Sequence, residues 1–117
     1  MSIFRHVPRP PLNQQVDVLW YYVDLMPDHE REHVLPDGTF ELIINLQEVP
    51  RKLFNRDDQK QHHSYKRGWI SGAQSKFLVI DTVQRSTMIG AHFKPGGAAA
   101  FLGMPANELA DRVVELD

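Results

Sequence analysis

The sequence predicts a mainly β domain, arranged as an antiparallel barrel or sandwich with short helices at its C-terminal end. Three observations predict this fold. Segments rich in β-branched and aromatic residues recur between residues 16 and 94. Glycine and proline separate these segments, and after Pro95 the apolar spacing becomes helical. Because the predicted strands precede the helices and do not alternate with them, the order argues against a βαβ fold.

The N-terminal part is predicted to have an extended start, one helical turn and a long strand. Three prolines between residues 8 and 11 make the start rigid. Residues 12–16 suit one helical turn. Residues 16–26 are rich in valine, tyrosine and tryptophan, a composition that fits a strand better than a helix, and Pro27 ends either element.

A turn followed by a strand is the strongest local signal. Pro36 fixes the first corner of a turn, Asp37 can form a hydrogen bond with its own backbone, and Gly38 takes a positive φ without steric cost. Residues 39–47, which follow, are rich in apolar and β-branched residues. We therefore predict a hairpin in which residues 32–35 pair with this strand across the turn.

The middle of the chain changes character and then returns to strands. Residues 48–67 are highly charged with few apolar positions, which predicts a surface loop or a weak edge strand. Strands are predicted at residues 68–72, 77–83 and 86–94, with a turn at 81–85 between the last two.

Glycines follow the last of these strands. Pro95, Gly96 and Gly97 superficially suggest a phosphate-binding loop, but the G-x-x-x-x-G-K-[ST] pattern is absent and proline removes one backbone donor. A tight corner between strand and helix fits these residues better. Residues 97–102 then suit a short helix that Gly103 closes.

A second short helix is predicted to begin at Pro105, because the apolar residues after it follow at helical spacing. An amphipathic helix at the edge of a domain is a ready surface for a partner. We therefore predict homodimerisation through Leu109, Arg112 and Val113.

Composition excludes several classes of protein. The 117 residues fit one domain, residues 1–117, and the net charge of −2 gives no electrostatic footprint for nucleic acid. The absence of cysteine excludes disulfides and thiolate zinc sites. The N-terminal residues lack the apolar core of a signal peptide, and no apolar run has the about 20 residues that cross a bilayer. We expect a soluble cytoplasmic domain that binds no membrane.

One motif points to a zinc protease. Residues 29–33 fit H-E-x-x-H, in which two histidines one helical turn apart hold a metal and the glutamate acts as base. That chemistry needs a helix, and Pro27 and the turn at residues 36–38 leave barely two turns of chain without an apolar face. A polar turn that enters a strand fits this segment better.

Polar residues on the predicted strands are the candidates for a ligand site. In residues 86–94, His92 and Lys94 share one face, which either is partly exposed or lines the barrel interior and binds an anionic or polar ligand. Glu41 can point inward from its own strand, and Trp20 provides aromatic bulk. We predict an inner ligand-binding surface of Trp20, Glu41, His92 and Lys94. His62 and His63 could form a metal site with His92 only if the fold brings the three residues together.

Several blocks taken together resemble the N-terminal domain of a group of AraC-family transcriptional regulators, from about Pro10 to the last residue. The blocks are L-P-D-G at 35–38, E-L-I-I-N-L at 41–46, S-G at 71–72, F-K-P-G-G-A-A at 93–99, F-L-G-M-P at 101–105 and E-L-A-D-R-V-V at 108–114. The resemblance implies a cupin-like β-barrel for effector sensing, dimerisation or both, placed before two helix-turn-helix units.

The resemblance implies no catalytic residue, metal or cofactor, and a DNA-binding half that lies beyond residue 117. The chain ends without a polar tail or helix cap, which indicates a boundary within a longer protein. The expected function is the coupling of effector binding to promoter binding, with DNA contacted only through that other half. The alternative is a stand-alone cupin-like metal-binding protein or small enzyme that uses His92 with His62 or His63.

Overall fold

The chain folds mainly into antiparallel strands, which confirms the predicted fold class. The computed structural model describes residues 2–25, 31–35, 38–47, 49–81, 86–103 and 106–116. In these residues the strands are β1 (Ser2–His6), β2 (Val16–Leu25), β3 (Arg31–Val34), β4 (Glu41–Asn45), β5 (Arg51–Phe54), β6 (His62–Tyr65), β7 (Gly68–Ser71), β8 (Leu78–Asp81), β9 (Ser86–Phe93) and β10 (Val113–Leu116). The helical elements are a 3₁₀ turn (Leu12–Gln14), helix α1 (Gly97–Leu102) and a second 3₁₀ turn (Ala106–Glu108).

The strands form two sheets. Six of them lie in the order β1-β2-β9-β4-β7-β10, and four lie in the order β3-β8-β5-β6. Every pairing among the described strands is antiparallel. The long strands β2 and β9, whose β-branched and aromatic residues predict them from sequence, pair with each other in the larger sheet.

One face of the six-stranded sheet carries the main core. Phe93, which is 1% exposed, Ala98 of α1 and Leu109 pack into this cluster. A row of side chains across five strands joins them: Leu19, Ala91, Leu42, Ile70 and Val114. Because successive side chains in a strand point to opposite faces, the residues next to these in sequence face the other side of the sheet.

A buried arginine ties the two sheets together on that other side. Arg51 of β5 donates from Nε to Oδ1 of Asp81 on β8 at 2.9 Å and from Nη1 to the sulfur of Met88 on β9 at 3.1 Å. The hydroxyl of Tyr65 on β6 donates to the carbonyl of Val113 at 3.2 Å. The four-stranded sheet therefore covers part of the face opposite the main core.

The predicted hairpin across residues 36–38 is wrong. Strand β3 pairs with β8 in the four-stranded sheet, whereas β4 pairs with β7 and β9 in the six-stranded sheet. Gly38 has the positive φ of 73° that the turn chemistry predicts, but the connection passes from one sheet to the other. Pro36 and Asp37 lie outside the described residues.

The middle of the chain also contains more strand than predicted. Strands β5 and β6 pair with each other within residues 48–67. Strand β6 is the edge strand of its sheet, which agrees with the predicted edge strand and not with the predicted loop. Strands β8 and β9 belong to different sheets, so they do not form a hairpin. The turn predicted at residues 81–85 lies outside the described residues except for Asp81.

The prediction of a second C-terminal helix is wrong except for one 3₁₀ turn at Ala106–Glu108. Asp111 has a φ of 57°, which interrupts helical geometry, and its Oδ1 accepts hydrogen bonds from the backbone and hydroxyl of Ser75 at 2.6 and 2.9 Å. The β-branched residues Val113 and Val114 then enter β10 and pair with β7. The first helix is confirmed as α1, which Gly103 closes with a φ of 70°.

Candidate functional site

Three residues that the sequence selects lie together on neighbouring strands β2, β9 and β4. Nε1 of Trp20 donates a hydrogen bond to Oε1 of Glu41 at 2.5 Å. Nδ1 of His92 lies 2.5 Å from Oε2 of the same carboxylate. Each oxygen of Glu41 therefore has its own nitrogen partner, and one carboxylate joins two side chains from different strands.

A glycine in the strand between them makes this arrangement possible. Gly90 of β9 is the register partner of Trp20 on β2 and of Ile43 on β4. A Cβ atom on Gly90 would overlap ring atoms Cζ2 and Cε2 of the indole. The indole therefore lies directly across β9 and reaches Glu41. Any residue larger than glycine at position 90 would block this path of the ring.

The network extends to a hydroxyl group. Oγ1 of Thr39 lies 3.2 Å from Nε2 of His92. When Glu41 is ionised and His92 neutral with its proton on Nδ1, Nε2 accepts from the Thr39 hydroxyl; when His92 is charged, Nε2 donates to it. A hydroxyl rotates to serve either state, so the network can gain or lose a proton without losing a hydrogen bond.

These groups line a cleft of about 400 Å³. Its walls are formed by Arg5, Val18, Trp20, Tyr22, Glu41 and His92. The rings of Trp20 and Tyr22 stack on one another at a centroid distance of 4.7 Å and give the cleft an apolar, aromatic wall. The side chains of His92 and Glu41 are 25% and 26% exposed, so a molecule in the cleft can reach them. An apolar wall with few polar groups is typical of small-molecule sites of about 300–1,000 Å³.

Lys94 is the one predicted ligand residue that the structure does not bring to this cleft. It follows the end of β9 and is not among the described residues that line the cleft. Its backbone N–H donates to the carbonyl of Gln15 at 2.9 Å. Strand β9 ends at Phe93, so the strand alternation that places Lys94 on the face of His92 does not extend to it.

Sequence reasoning missed five contributors to the site: Arg5, Val18, Tyr22, Thr39 and Gly90. A glycine in the interior of a strand is a known sign of close approach by another group, so Gly90 was open to prediction. Tyr22 shares the face of Trp20 because it lies two residues along the same strand. Nothing in the short N-terminal segment identifies Arg5 as part of a site.

The glycine-rich corner serves packing. Gly96 has a φ of 75° and stands directly before α1, and the N–H of Gly97 donates to the carbonyl of Lys94 at 2.8 Å. A Cβ atom on Gly97 would overlap the carbonyl oxygen of Gln15. Pro95, Gly96 and Gly97 therefore form the predicted tight corner between strand and helix.

The residues predicted for dimerisation do not form one exposed helical face. Leu109 is 6% exposed within the core, and its backbone lies against Gly72. Arg112 is exposed, and Val113 is a half-buried residue of β10. The prediction of a homodimer therefore no longer has this helix as its basis.

The residues considered for metal binding are separated by the fold. His62 and His63 lie on β6 of the four-stranded sheet, where their rings contact Phe54 and Tyr65, whereas His92 belongs to the other sheet. Within the described ranges, no three histidine, aspartate or glutamate residues are grouped as metal ligands. The second half of the H-E-x-x-H segment is strand β3, which lacks the helical geometry of a zinc protease, and His29 and Glu30 lie outside the described residues.

In the part of the chain that the structure describes, no helix combines the length and apolar character needed to cross a bilayer.

Of the comparisons with known proteins, one family match covers most of the chain. A search of curated proteins and a search of solved structures each found no significant match. A scan against protein families matches residues 4–115 to one family. The chain therefore belongs to the family described as "Domain of unknown function (DUF6597)".

Proposed function

We propose that this chain is the effector-sensing domain of an AraC-type transcriptional regulator, in which a small molecule in the cleft controls DNA binding by another part of the protein. The observation that carries the proposal is the cleft itself, in which Trp20, Glu41 and His92 meet beside an apolar wall. The sequence blocks that resemble AraC-type regulators give the regulatory role.

The sheet offers a route from the cleft to the C-terminal strand. One register row crosses it, and its members are Val18, His92, Glu41, Ser71 and Val113. A ligand that lies against Trp20 changes how the Trp20–Glu41–His92 network holds β2, β9 and β4 together, and β7 connects β4 to β10. Under this proposal, the ligand favours one arrangement of β10 and thereby shifts the occupancy of a promoter.

The test of the regulatory role begins with the coding frame past the codon for Asp117. The proposal predicts a frame that continues for two basic helix-turn-helix patterns. The full protein is then compared with its Glu41→Gln and Glu108→Gln variants by promoter occupancy in cells. Occupancy should respond to growth conditions in the wild type and in Glu108→Gln, and the response should be lost in Glu41→Gln. A stop codon directly after Asp117 contradicts the proposal.

A stand-alone metal-binding protein or small enzyme is the competing function. It needs a third ligand beside His92 and Glu41, and no described residue supplies one. Metal analysis of protein purified without an affinity tag tests it, since a stoichiometric transition metal would favour this competitor.

A further inference from the structure

We propose that the cleft selects a small planar carboxylate, whose acid group binds Arg5 and whose flat body lies against Trp20 and Tyr22. This inference rests on the proposed function, because it names the chemical class of the effector. It follows from the charges at the two ends of the cleft and from the shape of the wall between them.

Arg5 is the cation at one end of the cleft. It lies on β1 as the register partner of Trp20, it is exposed, and it lines the cleft. Among the described residues, its guanidinium makes no hydrogen bond or ion pair. A guanidinium presents a planar fork of N–H donors that matches a carboxylate in a bidentate way. Arg5 is therefore available to an anionic ligand.

Glu41 lies at the opposite end of the cleft, but its carboxylate is poorly placed to bind a cationic ligand. Both oxygens of Glu41 are engaged, one by the indole N–H of Trp20 and the other by Nδ1 of His92. These donors offset the negative charge of the carboxylate. A cationic ligand must break one of the two bonds, whereas an anion at Arg5 breaks neither. Arg5 and His92 stand on strands separated by β2, about 10 Å apart at the usual strand spacing, so the two ends are distinct.

The wall between the ends favours a flat ligand. The rings of Trp20 and Tyr22 are inclined by 28° to one another, and Val18 continues the apolar surface on the same strand. Aromatic rings gain most from other flat groups that stack on them or meet them edge to face. A cleft of about 400 Å³ lies at the lower end of the range for small-molecule sites, so the ligand is compact.

Three probes of equal size and different charge test the inference: benzoate, benzamide and benzylamine. Binding of each to the 117-residue chain is measured by titration calorimetry, and its location by NMR shifts of the indole N–H groups of Trp20 and Trp69. Benzoate should bind about tenfold or more tightly than benzamide, because a charge-assisted bidentate contact is added. The signal of Trp20 should move and that of Trp69 should not.

Two variants assign the preference to the guanidinium. Arg5→Gln should bind benzoate and benzamide equally, whereas the matched control Arg9→Gln, at an exposed arginine outside the cleft lining, should keep the preference. Equal or tighter binding of benzamide or benzylamine to the wild type overturns the inference. So does a preference that survives in Arg5→Gln, and so does a failure of all three probes to bind.

The outcomes separate this inference from the proposed function. If benzylamine binds best and moves the signal of Trp20, the carboxylate class is wrong while the cleft remains a sensing site. If benzoate binds as expected but promoter occupancy ignores Glu41→Gln, the ligand class stands and the regulatory role is wrong.

Discussion

Trp20 and Glu41 lie on strands that do not pair with each other, yet the indole of Trp20 crosses β9 to donate a hydrogen bond to the carboxylate of Glu41. The crossing depends on Gly90, which has no side chain in the path of the ring. The link holds three strands of the six-stranded sheet together at the floor of the cleft. We expect the stability of this region to depend on this link, and so does the proposed binding of a ligand in the cleft.

Replacing Gly90 by alanine should displace the indole. The added methyl group overlaps the ring, so the Trp20–Glu41 bond is lost or the strands separate, and the free energy of unfolding should fall by about 1–3 kcal/mol. Chemical denaturation measures the change. Ile89→Ala is the control, because Ile89 is 43% exposed on the other face of the same strand and should have a small effect. Unchanged stability together with an unchanged indole signal for Gly90→Ala would contradict the assigned crossing.

Glu41→Gln should weaken the network without changing its size. An amide accepts more weakly than a carboxylate and has one oxygen for two donors, so the free energy of unfolding should fall by about 1–3 kcal/mol. The Nε1–H resonance of Trp20 should move upfield as its charged acceptor is lost. Glu108→Gln, at an exposed glutamate, should leave this resonance in place. Identical spectra for wild type and Glu41→Gln would show that the hydrogen bond is absent in solution.

Leu109→Glu should unfold the protein, whatever its oligomeric state. Leu109 is 6% exposed in the main core, so a carboxylate there is buried without a partner and should cost about 4 kcal/mol or more. Thermal unfolding followed by circular dichroism tests this. Leu102→Glu, at a residue that is 36% exposed, should be much milder. A folded Leu109→Glu protein that merely becomes smaller in light scattering would restore the dimer surface predicted from sequence.

Asp111 should make stability depend on acid pH. Hydrogen bonds from the backbone N–H and then the hydroxyl of Ser75 lower the pKa of Asp111 from its ordinary value of 3.8. A carboxyl whose pKa is lower when folded stabilises the native state above 3.8, and this contribution is lost as pH falls through the lower, folded value. Urea unfolding of wild type and Asp111→Asn should therefore differ most above this range and converge below it. Asparagine also tolerates the positive φ, so the backbone is kept.

Ser75→Ala provides a second variant for the same measurement. It removes the hydroxyl donor and keeps the backbone N–H, so it should lose part of the difference that Asp111→Asn shows. A constant gap between wild type and Asp111→Asn across the acid range would mean that the charge of Asp111 does not contribute.

The sequence identifies the strands better than it identifies their partners. Valine and aromatic residues predict β2, and alternation predicts β9, because these patterns depend on the strand itself. The positive φ predicted for Gly38 is also correct. Which strands pair on either side of Gly38 depends on sheet membership, and β4 gains more by pairing on both edges inside the larger sheet than by a local hairpin.

The same distinction applies to the site. Glu41 and His92 are predictable as polar residues on strands, whereas their direct opposition in the register depends on the strand order, which crosses between distant parts of the chain. Arg5 enters the site only because β1 pairs with β2. Val113 carries no helical preference of its own, and its position in β10 follows from pairing with β7.

A thermal-shift screen of small molecules on wild type and Glu41→Gln in parallel tests whether the cleft binds a ligand beside the Trp20–Glu41–His92 network. A ligand that binds the folded protein raises its melting temperature. We expect compounds that stabilise the wild type and lose most of this effect in Glu41→Gln, because the Trp20–Glu41–His92 network forms the floor of the cleft. Compounds that stabilise both proteins equally, or a screen without any stabilising compound, would contradict it.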